Sequence, residues 1–177
     1  MKPYLTYGAF IAIGNAVITL VLFLAGFHSE PERLQTAQIV SGVAGLAIGI
    51  SLLVIGVRAK RAQVPVTEEF SYGKALGTAV MISLFATLFS ATFQFIYASF
   101  INSNFAEVAY QAQVASMQAK GVSSAAIEKS EGLMRMMLKP AVQAGFAFVG
   151  GMFANVIISL IAAAILRRRA TEQLLSA

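Results

Sequence analysis

Four long apolar segments divide the chain, and none of them contains Asp, Glu, Lys, Arg or His. They cover residues 4–27, 36–57, 75–101 and 140–166. Each is long enough to cross a bilayer as an α-helix, which takes about 20 residues. The pattern predicts an all-α membrane protein in which residues 1–177 form a single integral membrane domain. Its four transmembrane helices would pack as a compact bundle.

The polar segment 102–139, between the third and fourth spans, predicts a helical region outside the membrane. Two helices are expected, at about 105–119 and 124–138. Their start and end signals are Asn104 with Glu107 three residues later, Gly121, and Ser123. The Met- and Leu-rich end of the second helix could lie among lipid headgroups or bind a partner. A helical hairpin that caps the bundle is the simplest hypothesis.

Composition agrees with this assignment, because only 12% of the residues are charged while about 25% is usual in soluble domains. The thirteen Lys and Arg residues divide eight to five between the two sides of the predicted bundle. Since cytoplasmic loops are enriched in Lys and Arg, both termini are predicted to be cytoplasmic in a multi-pass protein of the cytoplasmic (inner) membrane. The eight residues on that side are Lys2, Arg58, Lys60, Arg61, Lys74, Arg167, Arg168 and Arg169.

Small and polar residues recur at helical spacing in all four spans, which predicts one interior face per helix. The glycines expected at helix contacts are Gly42, Gly45, Gly49 and Gly151. The polar residues expected on the interior are Asn15, Thr19, Ser83, Thr87, Ser90, Gln94, Asn155 and Ser159. They could serve packing alone, or they could form a polar crevice for a small polar solute or a lipid headgroup.

Asn15 and Asn155 are expected at similar depth, because the first and fourth spans run in opposite directions. An amide in hydrocarbon has hydrogen-bonding groups and no bulk water to satisfy them. The two side chains are therefore predicted to face the interior and to pair directly, through Ser159 or Thr19, or through a trapped water molecule.

The two halves of the chain resemble each other at their first residues. Leu5-Thr6-Tyr7-Gly8 opens the first span, and Phe70-Ser71-Tyr72-Gly73 opens the third. The second and fourth spans both end in basic runs. This pattern indicates a two-plus-two internal repeat about an axis along the membrane normal; convergent interface chemistry is the alternative.

Several short motifs carry a family resemblance. Gly56-Val57-Arg58 and Phe70-Ser71-Tyr72-Gly73-Lys74-Ala75-Leu76, with Lys139-Pro140 and the closing Ile165-Leu166-Arg167-Arg168, resemble the bacterial membrane family catalogued as domain of unknown function 4199. The chain departs from the family pattern at Ser103, where Pro would be expected. The resemblance implies a four-span integral membrane protein, and it brings no known activity and no catalytic residues.

The inventory of reactive side chains is poor. There is no Cys and one His, which excludes a thiolate nucleophile and a pair of haem-ligating histidines. His28 lies beside Glu30 and Glu32 in the short loop after the first span, where a solvated side chain is expected. We expect no enzyme activity and no cofactor. Nucleic-acid binding is not expected either, because the basic residues lie at span ends and not along one face.

Three functional hypotheses follow. The leading one is a structural or accessory subunit of a membrane assembly, with the lipid bilayer and other protein chains as partners. The second is a small oligomeric channel or transporter for a polar solute. The third is an envelope sensor that acts through the external helical hairpin. The lack of ionisable residues within the spans argues against an ion-coupled pump.

Overall fold

The computed structural model describes residues 3–169 and is helical almost throughout. Four of its helices are long and apolar enough to cross a membrane, which confirms the predicted all-α membrane fold. The elements are α1 (Pro3–Leu24), α2 (Pro31–Ala62), α3 (Tyr72–Ile96) continued by a π-helical turn (Tyr97–Ile101), α4 (Phe105–Ala119), α5 (Ser124–Met137) and α6 (Pro140–Leu166).

Prolines, glycines and two serines set the helix ends, and one of the serines, Ser71, caps α3 by accepting a hydrogen bond from the N–H of Lys74. Pro31 and Pro140 begin α2 and α6, at positions where the missing N–H has no helical partner to lose. After α1 and α4 the chain turns at Gly26 and Gly121, whose φ angles of 82° and 78° lie in the left-handed region that favours glycine. Ser123 caps α5 by accepting a hydrogen bond from an N–H of its first turn, as predicted.

Several helix ends differ from expectation. The first helix ends at Leu24 and not at Phe27, and the third begins at Tyr72 and not at Ala75. Asn104 does not cap α4 with its side chain; its backbone is already helical, and its carbonyl accepts the N–H of Val108 at 3.1 Å. The second helix also extends past the predicted span 36–57 at both ends. Hydropathy marks only the part of a helix that lipid would cover, and α2 continues through charged residues beyond it.

The third helix lies at the centre of the bundle. It packs against α1 on one side and α6 on the other, while α2 packs mainly on α1 and makes few contacts with α6. In the most apolar 18-residue stretch of each span, 33% of the residues are buried in α3 with its π-helical turn, against 11% in α2. The bundle is therefore organised around α3, and α2 is its least covered helix.

Glycines let the helices approach closely near the termini. A Cβ atom at Gly8 of α1 would lie 2.7 Å from Cβ of Phe85 and 3.0 Å from the backbone nitrogen of Ala86 in α3. A Cβ atom at Gly56 of α2 would lie 2.7 Å from a methyl carbon of Ile82. At Gly8 the neighbours are a Cβ atom and backbone atoms, which cannot move aside, so glycine is required there. At Gly56 the neighbours are side chains of Ile82 and Tyr7, which would have to shift to admit a Cβ atom.

The four glycines predicted at helix contacts divide into two pairs. A Cβ atom at Gly45 would lie 2.9 Å from Oδ1 of Asn15, and one at Gly151 would lie 3.0 Å from Cγ2 of Thr87. At Gly42 and Gly49 an added Cβ would meet nothing within 4 Å. Within residues 3–169, these last two glycines do not hold a close helix contact.

The loop between α2 and α3 is fastened to the end of α6. Phe70 and Arg168 exchange two backbone hydrogen bonds of 2.9 Å. The Arg168 guanidinium donates to the carbonyl oxygens of Val64 at 2.9 Å and Pro65 at 2.8 Å. Arg61 at the end of α2 donates to the last carbonyl of α6 at 3.2 Å. The two basic runs thus tie the ends of α2 and α6 together.

At the opposite end, α4 and α5 form a hairpin that packs mainly on the first turns of α2. Arg135 of α5 joins the hairpin by donating to Glu107 at 2.9 Å and Glu131 at 2.7 Å. Its guanidinium also lies 4.1 Å from the centre of the Tyr110 ring. The hairpin therefore covers one helix of the bundle and leaves Met136 and others of the Met- and Leu-rich stretch exposed.

The two Tyr-Gly pairs of the predicted repeat have different surroundings. Tyr7 and Gly8 lie inside α1, and Gly8 packs against α3. Tyr72 is the first residue of α3, and a Cβ atom at Gly73 would meet nothing within 4 Å. The internal repeat stays a prediction, and equivalent packing of the two pairs is not found.

Gly8→Ala is expected to lower the free energy of unfolding by about 1–3 kcal/mol, the usual cost of overpacking a tight contact. Gly49→Ala is the matched control. It adds the same methyl group to a helix where there is room, so stability should stay equal or rise. The measurement is unfolding of the detergent-solubilised protein with increasing SDS. Equal midpoints for the two variants would contradict the close α1–α3 contact.

Candidate functional site

Two adjoining cavities lie between the spans and share the side chains of Asn15 and Ser90. The larger, of about 390 Å³, is bounded by α1, α3 and α6. The smaller, of about 240 Å³, is bounded by all four spans. We call them together the polar crevice. Its polar side chains include Asn15, Thr19, Thr87, Ser90, Gln94 and Asn155.

Side-chain hydrogen bonds join α3 to α6 next to this crevice. The hydroxyls of Ser83 and Ser159 lie 3.2 Å apart and are buried. Four residues further along α3, Thr87 accepts a hydrogen bond of 3.1 Å from the amide of Asn155. Because the two helices are antiparallel, both pairs fall on one contact line. Four of the predicted polar residues thus hydrogen-bond to one another in pairs.

Other predicted residues reach the crevice without such a partner. Among residues 3–169, the side chains of Asn15, Ser90 and Gln94 make no hydrogen bond within the protein. Thr19 donates only to the backbone carbonyl of Asn15, at 3.0 Å. Asn15 and Asn155 line the same cavity but do not bond to each other. Sequence spacing predicts which residues share a helix face, but it does not specify which polar groups pair between faces.

The crevice offers hydrogen-bond donors and acceptors without charge. Amide and hydroxyl groups can bind an uncharged polar molecule or water, and none of them titrates near neutral pH. Within residues 3–169, no group of three or more His, Cys, Asp or Glu side chains is placed to hold a metal ion. The chemistry available at this site is therefore recognition by hydrogen bonding.

His28 forms a second polar site that the sequence did not reveal. The expectation of a solvated side chain is wrong, because His28 is only 6% exposed. Its Nδ1 lies 2.5 Å from the hydroxyl of Tyr97, and the same hydroxyl accepts a hydrogen bond of 2.9 Å from the amide of Asn102. With Asn102 donating to the oxygen, the hydroxyl proton can point to Nδ1 of a neutral imidazole.

Aromatic rings and the π-helical turn bury this site. Phe23, Phe93 and Phe105 surround the Tyr97 ring at centroid distances of 5.8, 6.1 and 5.7 Å. Tyr97 is the first residue of the π-helical turn, an irregularity that is frequent at functional sites. Burial lowers the pKa of His28 below its ordinary value of 6.5, because desolvation disfavours the imidazolium.

A family model described as "Protein of unknown function (DUF4199)" matches residues 6–168. The chain belongs to the DUF4199 family. Comparisons with curated proteins and with solved structures found no match. The matched region of this DUF4199 protein contains the whole polar crevice and the His28 site, so both lie within the family's common domain.

Acidification is expected to destabilise this DUF4199 protein through His28. The folded chain holds the imidazole pKa below 6.5, so the unfolded chain takes up a proton first as the pH falls. The stabilisation is complete above pH 6.5 and is lost as the pH falls from there through the lowered pKa. Thermal unfolding in detergent at pH 5 to 8 measures the effect. His28→Gln should flatten the profile in this window, whereas the loop control Glu30→Gln should not. If the unfolding temperature of His28→Gln falls with pH as steeply as that of the wild type, the pH dependence cannot be assigned to His28.

Proposed function

We propose that the protein binds a small uncharged polar solute in the polar crevice, as one protomer of a membrane channel or carrier without catalytic activity. The observation that supports this proposal is the set of crevice side chains without a protein partner, Asn15, Ser90 and Gln94. An unsatisfied polar group in hydrocarbon costs several kcal/mol. Water or a solute must then occupy the crevice when the spans lie in lipid.

The character of the walls indicates the class of solute. Amides and hydroxyls face the crevice, and none of the four spans carries an ionisable Asp, Glu, Lys, Arg or His within its apolar segment. A fixed charge is what ion-coupled transporters usually place at this depth. Molecules with hydroxyl or amide groups and no net charge match the available donors and acceptors. The larger cavity, at about 390 Å³, falls in the common range for small-ligand sites.

A structural or accessory subunit is the second candidate, and α2 supports it. This helix is the least covered span, and a Cβ atom added at Gly42, which lines neither cavity of the polar crevice, would meet nothing within 4 Å. Helices associate in lipid through small residues, because these allow close backbone contact. A partner chain could therefore pack along α2. Mass determination after mild-detergent extraction separates the candidates: a defined hetero-complex supports the accessory subunit, and a homo-oligomer supports the channel.

The proposed location is the bacterial inner membrane, with both termini and the α2–α3 loop in the cytoplasm. Within residues 3–169, seven Lys and Arg residues lie at that end and five at the hairpin end; Lys2 falls outside the described residues. Of the five, Arg33 and Arg135 form ion pairs with neighbouring glutamates. The unequal distribution of basic residues supports this orientation.

Vesicle permeation tests the solute proposal. Proteoliposomes that contain the wild-type chain should take up glycerol or urea faster than protein-free vesicles, measured by light scattering after an osmotic step. Gln94→Leu should reduce the rate, because it removes an unpaired amide from the crevice. Gln118→Leu is the matched control, since Gln118 is an exposed residue of α4. No acceleration by the wild-type protein with either solute would contradict the channel or carrier.

Reporter fusions test the orientation. A reporter joined after Ala177 is expected to behave as cytoplasmic, and one inserted at Gly121, between α4 and α5, as external. The expectation follows from the distribution of basic residues. The reverse pattern would overturn the proposed orientation while leaving the fold unchanged.

A further inference from the structure

An apolar groove of about 510 Å³ opens near the termini, between the start of α1, the end of α2 and the start of α3. Tyr4 of α1 and Phe70 of the α2–α3 loop form part of its apolar wall. Lys60 of α2 and Lys74 of α3 line the same groove. We call it the basic groove, and it is separate from the polar crevice, with which it shares no residue.

Two glycines keep the basic groove open. Gly73 and Gly77 are four residues apart on α3, so they lie on one face of the helix. A Cβ atom added at either would meet no protein atom within 4 Å. Met81 lies one turn further on and is 38% exposed. The groove therefore continues along α3 as a narrow apolar surface that the protein's own side chains do not fill.

The two lysines have only weak partners within the protein. Lys74 Nζ donates to the carbonyl of Glu69 at 3.1 Å and lies 4.0 Å from the carboxylate of Glu68. Lys60 Nζ lies 3.5 Å from the side-chain oxygen of Gln63. Neither ammonium group is neutralised by a close ion pair. Five further arginines lie at the same end of the bundle, against the two glutamates Glu68 and Glu69, so within residues 3–169 this end carries an excess of positive charge.

We propose that the basic groove binds an anionic phospholipid. The phosphate would lie between Lys60 and Lys74, and an acyl chain would run past Gly73 and Gly77 towards Met81. The groove combines an apolar wall with two lysines, and this combination supports a phospholipid as the occupant. A soluble anion gains nothing from an apolar slot, and a zwitterionic lipid gains little from two ammonium groups. The lysines lie at the first turn of α3 and the last turns of α2, which is where headgroups meet the ends of spans.

The test is lipid binding to the full chain in mild detergent, measured by native mass spectrometry. Phosphatidylglycerol should bind as a defined one-to-one adduct, and phosphatidylcholine should bind much less. Lys60→Gln with Lys74→Gln should weaken phosphatidylglycerol binding on the order of 30-fold, the value for two lysines near an anionic surface. The control is Lys120→Gln with Lys129→Gln, which removes the same charge at the hairpin end and should leave binding unchanged.

A second variant tests the apolar part of the groove. Gly77→Leu fills open space on a helix, so the protein should remain folded, and its lipid-free thermal stability should be equal to or higher than that of the wild type. It should nevertheless lose the phosphatidylglycerol adduct. Gly145→Leu on α6, also in open space, should retain it. Inorganic phosphate at millimolar concentration should not displace the lipid.

Four results would overturn the proposal. Three are equal binding of the two lipids, equal loss in the two double-lysine variants, and an intact adduct in a folded Gly77→Leu protein. The fourth is displacement by inorganic phosphate, which would mean that the site recognises a free anion and not a lipid. None of these results depends on the polar crevice, so failure here and failure of the proposed solute binding are separate outcomes.

Discussion

Inside a bilayer each amide and hydroxyl needs a partner from the protein or from trapped water, and α3 carries such groups along one face. Ser83 and Thr87 find their partners on α6, which fixes the register of these two antiparallel helices. Ser90 and Gln94 continue the same face and find no protein partner among residues 3–169, and the polar crevice lies at their level. The α3–α6 contact and the cavity are therefore two parts of one polar face of α3. The position of α6 decides where the hydrogen-bonded contact ends and the cavity begins.

The bundle is packed unevenly along its length. Near the termini, Gly8 and Gly56 bring α1, α2 and α3 into close contact. A cluster of buried apolar residues lies there, and Arg168 fastens the loop to α6. Towards the hairpin, polar cavities lie between the spans, beside the aromatic cluster around Tyr97. The closest helix contacts and the polar cavities therefore occupy different parts of the bundle.

The sequence predicted the helices well, because the residues that start or end a helix lie within a few positions of that end. Pro140, Gly121 and Ser123 are such residues, and α4 and α6 begin and end where expected. The interior faces were also predictable, since helical spacing fixes which residues share a face. Partners were not predictable, because pairing depends on the register between helices. For this reason Asn155 bonds to Thr87 and not to Asn15.

His28 was missed for a related reason: its burial requires the distant Tyr97 and a π-helical turn that no local pattern marks.

The His28 site and the polar crevice meet at one aromatic ring. Phe93 lines the larger cavity and stacks on Tyr97 at 6.1 Å, and Tyr97 holds both His28 and Asn102 through its hydroxyl. The loop after α1, the start of α4 and the wall of the crevice are thereby joined by direct contacts around Tyr97, the first residue of the π-helical turn. Any displacement of that loop must move Tyr97 or break its hydrogen bond to His28. The only histidine in the chain therefore contacts Tyr97, which contacts Phe93 in the wall of the crevice. From this position His28 can stabilise the end of the crevice that lies nearest the hairpin.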